Sequence, residues 1–259
     1  MPQVRPYVTL LAVVVGLTAA APAAAQVPIQ PGAAIESGGS GCTMSWIFDG
    51  RPGTPQAGRT YGMTAAHCVD GVGVPVRILP SEVLTGTGAE RIGQVAFTGV
   101  ATEEGRDYAF FEIDGEDLGQ VDPRMKGHPG IPTGLPRHPR SGDTMQFSGY
   151  GDATFATSTT REGRTGVLNR VGDAEHQILG AISTGDSGGP VADLTDGGTA
   201  FGIVTDLGGG VQPDAMTVVV AGEFGMNLRW VLADAASRGF HVRLRTAAGT
   251  PAADDERAR

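Results

Sequence analysis

Short apolar or alternating runs recur along this chain, at residues 44–48, 61–65, 74–79, 91–97 and 108–113, then at 144–148, 177–182, 200–205 and 216–220. Each has the length of a strand, and strands at this spacing read as an all-β sandwich or barrel. The punctuation agrees, because 41 glycines and 17 prolines favour turns over long helices. A hydrophobic content of 40% is enough to fill a sizeable core. Residues 119–140 contain five prolines and part the runs into two sets, which predicts an N-terminal β-domain over 26–118, a connector over 119–140 and a C-terminal β-domain over 141–222. Further on, Phe224, Leu228, Val231 and Leu232 come close to helical spacing and predict a C-terminal helix over 223–240, with Arg238 and Gly239 as stop signals. Residues 246–259 are small, polar and charged, the composition of a disordered tail. No internal repeat is visible.

Two strings carry the chemistry. Gly185-Asp186-Ser187-Gly188-Gly189-Pro190 places a serine between glycines, and Thr64-Ala65-Ala66-His67-Cys68 offers an imidazole. A serine hydroxyl is a weak nucleophile until an imidazole takes its proton and a carboxylate orients that imidazole. The glycines let the backbone turn sharply and bring the N–H groups of Gly185 and Ser187 toward one point, an oxyanion hole. The same string fits the Gly-x-Ser-x-Gly elbow of α/β-hydrolases, whose triad runs Ser, acid, His. After Ser187 the only histidine is His241, past the last convincing segment. The order His, Asp, Ser has better context: His67, then Asp107 at the head of the strand-like run 107–113, then Ser187.

On these residues the chain resembles the secreted trypsin/chymotrypsin-type serine endopeptidases, and in its economy the bacterial, streptogrisin-like members. The resemblance covers about residues 42–231. It implies two six-stranded antiparallel Greek-key barrels with the active site between them and a C-terminal helix. His67 is implied as general base and then acid, Asp107 as its orienting partner and Ser187 as nucleophile. It also implies a primary pocket at Ala181, Ile182, Thr205 and Leu207. No carboxylate stands at the floor position, so a small or medium apolar side chain before the scissile bond is expected in place of Arg or Lys. In bacterial members an internal arginine can pair with the acid before the nucleophile, here Asp186, and Arg137, Arg140, Arg161 and Arg164 are all open as that partner.

Compartment and partners follow from the ends and the charge. Residues 1–25 show a basic start, an apolar run and Ala23-Ala24-Ala25, the pattern of a signal peptide. Export places the two cysteines in an oxidising compartment, which suggests a Cys42–Cys68 disulfide beside His67, worth about 3 kcal/mol in the chain-entropy account. A net charge of −9 with a single lysine argues against nucleic acid as a partner. His128, His138 and His176 lack cysteine or histidine neighbours at ligand spacing, so they read as surface residues and no metal is expected. No cofactor is implied. The expected partners are a protein or peptide substrate and a protein protease inhibitor, met by a monomer outside the membrane. Two rival functions use the same scaffold: a secreted binding domain without turnover, and an esterase with the same nucleophile.

Overall fold

The structure is a computed structural model that describes residues 27–80, 88–99, 106–128, 130–151, 162–208 and 220–247, the side chains of 207–208 and 220–224 excepted. The expected signal peptide and all of the expected tail beyond residue 247 lie outside these residues. The first half builds β1 (Ala34–Ser37), β2 (Ser40–Thr43), β3 (Ile47–Gly50), β4 (Thr60–Thr64), β5 (Pro75–Ile78), β6 (Glu90–Thr98) and β7 (Ala109–Ile113). The second builds β8 (Thr144–Phe147), β9 (Arg164–Val171), β10 (Glu175–Ala181), β11 (Pro190–Asp193), β12 (Thr199–Gly208) and β13 (Val220–Asn227). Helix α1 (Leu228–Ser237) and β14 (Val242–Leu244) close the described chain.

The fold is all-β with one C-terminal helix, as expected. The second half forms a closed barrel in the order β10-β13-β12-β11-β8-β9, and all its neighbouring strands pair antiparallel. The first half forms an eight-stranded sheet, β14-β3-β4-β7-β6-β5-β1-β2, two strands more than the six expected. One of its edge strands, β14, comes from the far end of the chain and pairs antiparallel with β3. β9 and β11 escape the apolar pattern for different reasons. β9 buries only Arg164 and Leu168 and so has almost no hydrophobic signal, while β11 is four residues directly behind the serine string.

Two sequence boundaries need correction. The helix starts at Leu228 and ends at Ser237, because residues 224–227 are held in β13 by pairing with both β10 and β12. The last barrel strand accordingly runs past residue 222 to Asn227. The beginning of the expected tail is ordered as well: Thr246 is buried, and the Ala247 N–H donates to the Pro132 carbonyl at 3.4 Å.

Burial divides into a cluster inside each half, a third that spans them, and a small fourth of Ala34, Leu79 and Tyr150 that spans them too. Phe147, Leu168, Ile178, Val191, Phe201 and Val204 fill the closed barrel. Ile35, Met44, Val76, Ile92, Phe111 and Ile113 fill the β1–β6 side of the sheet. The largest cluster joins Phe48, Tyr61, Tyr108 and Phe110 of the sheet to Ile203 and Met226 of the barrel, Leu228 and Val231 of the helix, and Phe240 beyond it. Phe240 packs against the rings of Tyr61, Phe97 and Phe110 at centroid separations of 5.2, 4.8 and 5.1 Å.

Candidate active site

His67 and Asp107 are delivered by adjacent strands of the first half. β4 ends at Thr64, and a single 3-10 turn over Ala66–Cys68 carries His67 out of the sheet. Asp107 stands two residues before β7, which pairs with β4 through Thr64 and Ala109. The Asp107 Oδ1 atom accepts the backbone N–H of His67 at 2.9 Å, and Oδ2 lies 2.7 Å from His67 Nδ1. Both carboxylate oxygens therefore act on the same residue, one setting its backbone and the other its ring. The hydrogen bond to the Asp107 carboxylate raises the imidazole pKa above 6.5, opposed by burial and assisted by the charges of Asp107 and Asp206. The side chain remains 42% exposed, open to a substrate. The Cys42–Cys68 disulfide, with Cα atoms 6.1 Å apart, ties this turn to β2.

Ser187 lies in a loop between β10 and β11 whose glycines are required by the backbone. Gly185 has φ +97° and Gly188 φ +84°, a region closed to most side chains. Added Cβ atoms would sit 2.7 Å from the Tyr150 carbonyl oxygen and 2.1 Å from Thr64 Oγ1. Neither the Gly185 nor the Ser187 N–H donates to any acceptor among the described residues. Between them Asp186 is buried and fully engaged. Its Oδ2 accepts from Arg164 Nη1 at 2.8 Å and from the Ser183 N–H at 2.9 Å; its Oδ1 accepts from Arg164 Nη2 at 2.6 Å and from the Gly151 N–H at 2.8 Å. Arg164 also donates to the Ala181 carbonyl at 2.7 Å and stacks over Phe147. Of the four arginines that the sequence leaves open, Arg164 is the partner; Arg137 and Arg140 are exposed, and Arg161 lies outside the described residues.

The two halves meet at this loop. The Thr43 N–H of β2 donates to the Ser187 carbonyl at 2.9 Å, and Cys68 Sγ lies 3.8 Å from the same oxygen. Among the expected pocket residues, Ala181 is half-buried at the end of β10 and Thr205 is buried on β12. Ile182 belongs to the apolar interior of the barrel, and the Leu207 side chain lies outside the described residues. His67 and the two cysteines form a compact group of ligand-type atoms. Its sulfurs are bonded to each other, so it lacks the thiolates a metal would need.

His176 overturns its reading as a surface residue. It is fully buried on β10, its ring is 4.7 Å from that of Phe201, and Nδ1 lies 3.2 Å from Asn227 Oδ1. Burial pushes its pKa down to about 3, so the ring is neutral. A signal was present in the sequence: His176 begins an alternation with Ile178 and Gly180, all three of them buried.

The family model described as Trypsin matches residues 58–224, which include His67, Asp107 and Ser187. The chain belongs to the trypsin family. It is a serine-type endopeptidase. The solved structures similar to this trypsin-family enzyme include Thermobifida fusca protease A, at 19% identity and TM-score 0.56 over 84% of this chain and 98% of that one. Nocardiopsis protease is similar at 19% identity and TM-score 0.54 over 84% and 99%. Cellulomonas bogoriensis chymotrypsin is similar at 17% identity and TM-score 0.51 over 84% and 98%. At such identities these likenesses concern the fold. By sequence, no curated protein matches the chain.

Proposed function

We propose that this endopeptidase is exported and cleaves peptide bonds through an acyl-enzyme formed on Ser187, with His67 as base and acid and Asp107 as the group that orients it. The observation that carries this reading is the double hold of Asp107 on His67. With a carboxylate on Nδ1, that nitrogen bears the proton, and the Nε2 lone pair is left to take the proton of the Ser187 hydroxyl as its oxygen adds to the peptide carbonyl. The carbonyl π electrons move onto oxygen, between the N–H groups of Gly185 and Ser187, which have no acceptor among the described residues. Collapse expels the amine, which receives the proton from Nε2. Water then repeats the sequence on the ester and frees Ser187.

For the residue before the scissile bond we propose a small or medium apolar side chain. Ala181 supplies no charge at the pocket floor, and its carbonyl is already bound to the Arg164 cation, itself neutralised by Asp186. A buried substrate guanidinium would find no partner there. Extracellular release rests on the signal-type start of the chain and the disulfide; no helix among the described residues is long and apolar enough to cross a membrane.

Titration with a peptidyl phosphonate tests the reaction. One equivalent of label on Ser187, absent from Ser187→Ala, is the expected result, and a folded enzyme that takes no label would refute it. Peptides with Ala, Leu or Arg before the scissile bond test the pocket, with turnover of the Arg peptide expected to be the lowest.

A further inference from the structure

Thr43, the last residue of β2, is completely buried at the seam between the two halves. All of its polar groups are engaged, with four residues in three segments. Its N–H donates to the Ser187 carbonyl at 2.9 Å, and its own carbonyl accepts from Thr64 Oγ1 at 2.9 Å. Its Oγ1 donates to the Gly185 carbonyl at 2.8 Å and accepts the Tyr150 N–H at 2.9 Å. Its carbonyl oxygen stands 2.3 Å from where a Cβ on Gly188 would lie, and its methyl 3.4 Å from the Cβ position of Gly189. One residue of the first half is thus bonded to the nucleophile loop on both sides of Asp186.

We infer that the Thr43 hydroxyl is a positioning group for the oxyanion hole, a reading that rests on the proposed reaction at Ser187. Gly185 has no Cβ, so sterics alone restrict its φ and ψ weakly. Its N–H points into the hole only if the peptide units on either side of it are held. The Asp186 carboxylate is anchored by Arg164, Ser183 and Gly151, but none of those bonds touches the Gly185 carbonyl. Thr43 Oγ1 does, and the Tyr150 N–H in turn orients the hydroxyl by occupying its acceptor side. An oxyanion donor acts in the transition state far more than in the ground state, so loosening it lowers kcat and leaves KM nearly alone.

Thr43→Val keeps the volume and removes the hydroxyl. Per site titrated with phosphonate, kcat is expected to fall about tenfold to a hundredfold, short of the loss on deleting a donor outright, with KM within about twofold of wild type. Binding of a peptidyl boronate, whose tetrahedral adduct needs the hole, should weaken by the same factor. A reduced-amide peptide, which has no oxygen to place there, should bind unchanged. The acid limb of kcat/KM should stay in place, since His67 and Asp107 are untouched, and Thr43→Ser should recover most of the rate.

Wild-type kcat in Thr43→Val, equal weakening of boronate and reduced amide, or failure of Thr43→Ser to recover the rate would each overturn the inference. Should the valine variant not fold, the wild type decides: a hydroxyl held as described gives a slowly exchanging Thr43 Oγ1 proton with a cross-peak to the Gly185 α-protons, and its absence overturns the assignment. A wild type that takes no phosphonate would instead sink the reaction at Ser187, whatever Thr43 does.

Discussion

The two halves of this enzyme solve the problem of closure differently. The C-terminal barrel closes with its own strands and buries its own ion pair, Arg164 with Asp186 of the loop that carries Ser187. The N-terminal sheet does not complete itself. It borrows β14 from the end of the chain, fills its aromatic cluster with Phe240, and fastens the segment around Asp107 to helix α1. There Tyr108 donates to Asp234 at 2.6 Å, and Arg106 and Arg238 approach the same carboxylate. The ion pair beside the serine is thus made within its own half, with Thr43 of the other half holding the loop as well, while the His67–Asp107 pair is braced by residues more than a hundred positions away in sequence.

That contrast orders the consequences of mutation. The largest effect is expected from Asp107→Asn. By analogy with other triads it should cost about 10⁴ in kcat, or about 5.5 kcal/mol of barrier, with little change in melting temperature. The acid limb of kcat/KM, above pH 6.5 in the wild type because Asp107 raises the His67 pKa, should move down in the variant, read from a pH series between 5 and 9. Next comes Arg164→Met. It leaves the Asp186 carboxylate buried without its cation and should cost about 3–5 kcal/mol in urea unfolding, together with most of the activity. Hydrogen exchange should locate the loosening in β8–β12 and spare β3, β4 and β7.

Phe240→Ala tests the other half. Truncating a buried aromatic costs about 3–5 kcal/mol, and here exchange should rise in β3, β4, β7 and β14 while the closed barrel stays protected. If both variants opened both halves equally, the separate bracing would be wrong.

The last effect concerns acid, since it is absent at neutral pH and grows only as pH falls. His176 is held neutral in the native barrel by burial, with its pKa down near 3, while in the unfolded chain it titrates near 6.5. Between those values the unfolded state binds the proton that the native state refuses. Stability contributed by His176 is therefore complete above pH 6.5 and is lost as pH falls toward 3, by up to about 1.4 kcal/mol per unit. Urea midpoints of the wild type and His176→Gln should converge as pH falls from 7 to 4. Parallel curves would show that His176 carries no such linkage.

How far the sequence was readable depends on how local each feature is. The chain announced its strand-rich class through the spacing of its apolar runs, and the geometry around Ser187 follows from glycines that neighbouring atoms force. It hid β9, since a strand with only Arg164 and Leu168 buried gives no alternation. It hid β14 for another reason: three residues have no pattern, and they form a strand only because the edge of β3 lies open beside them. His176 was misplaced because a polar residue at the start of a strand looks exposed until the facing glycines, Gly202 and Gly225, leave room for its ring.

By itself the sequence determined the chemistry that adjacent residues can specify. A serine among glycines, a histidine before a cysteine and an acid heading a strand each carry their conformational needs within a few positions, and backbone sterics act at that range. Only the tertiary structure decided which distant groups serve them: Arg164 among four arginines for Asp186, and Thr43 for the carbonyl of Gly185. Those choices rest on directional hydrogen bonds between strands and loops far apart in the chain, and such bonds exist only once register and packing have brought their atoms within 3 Å or so.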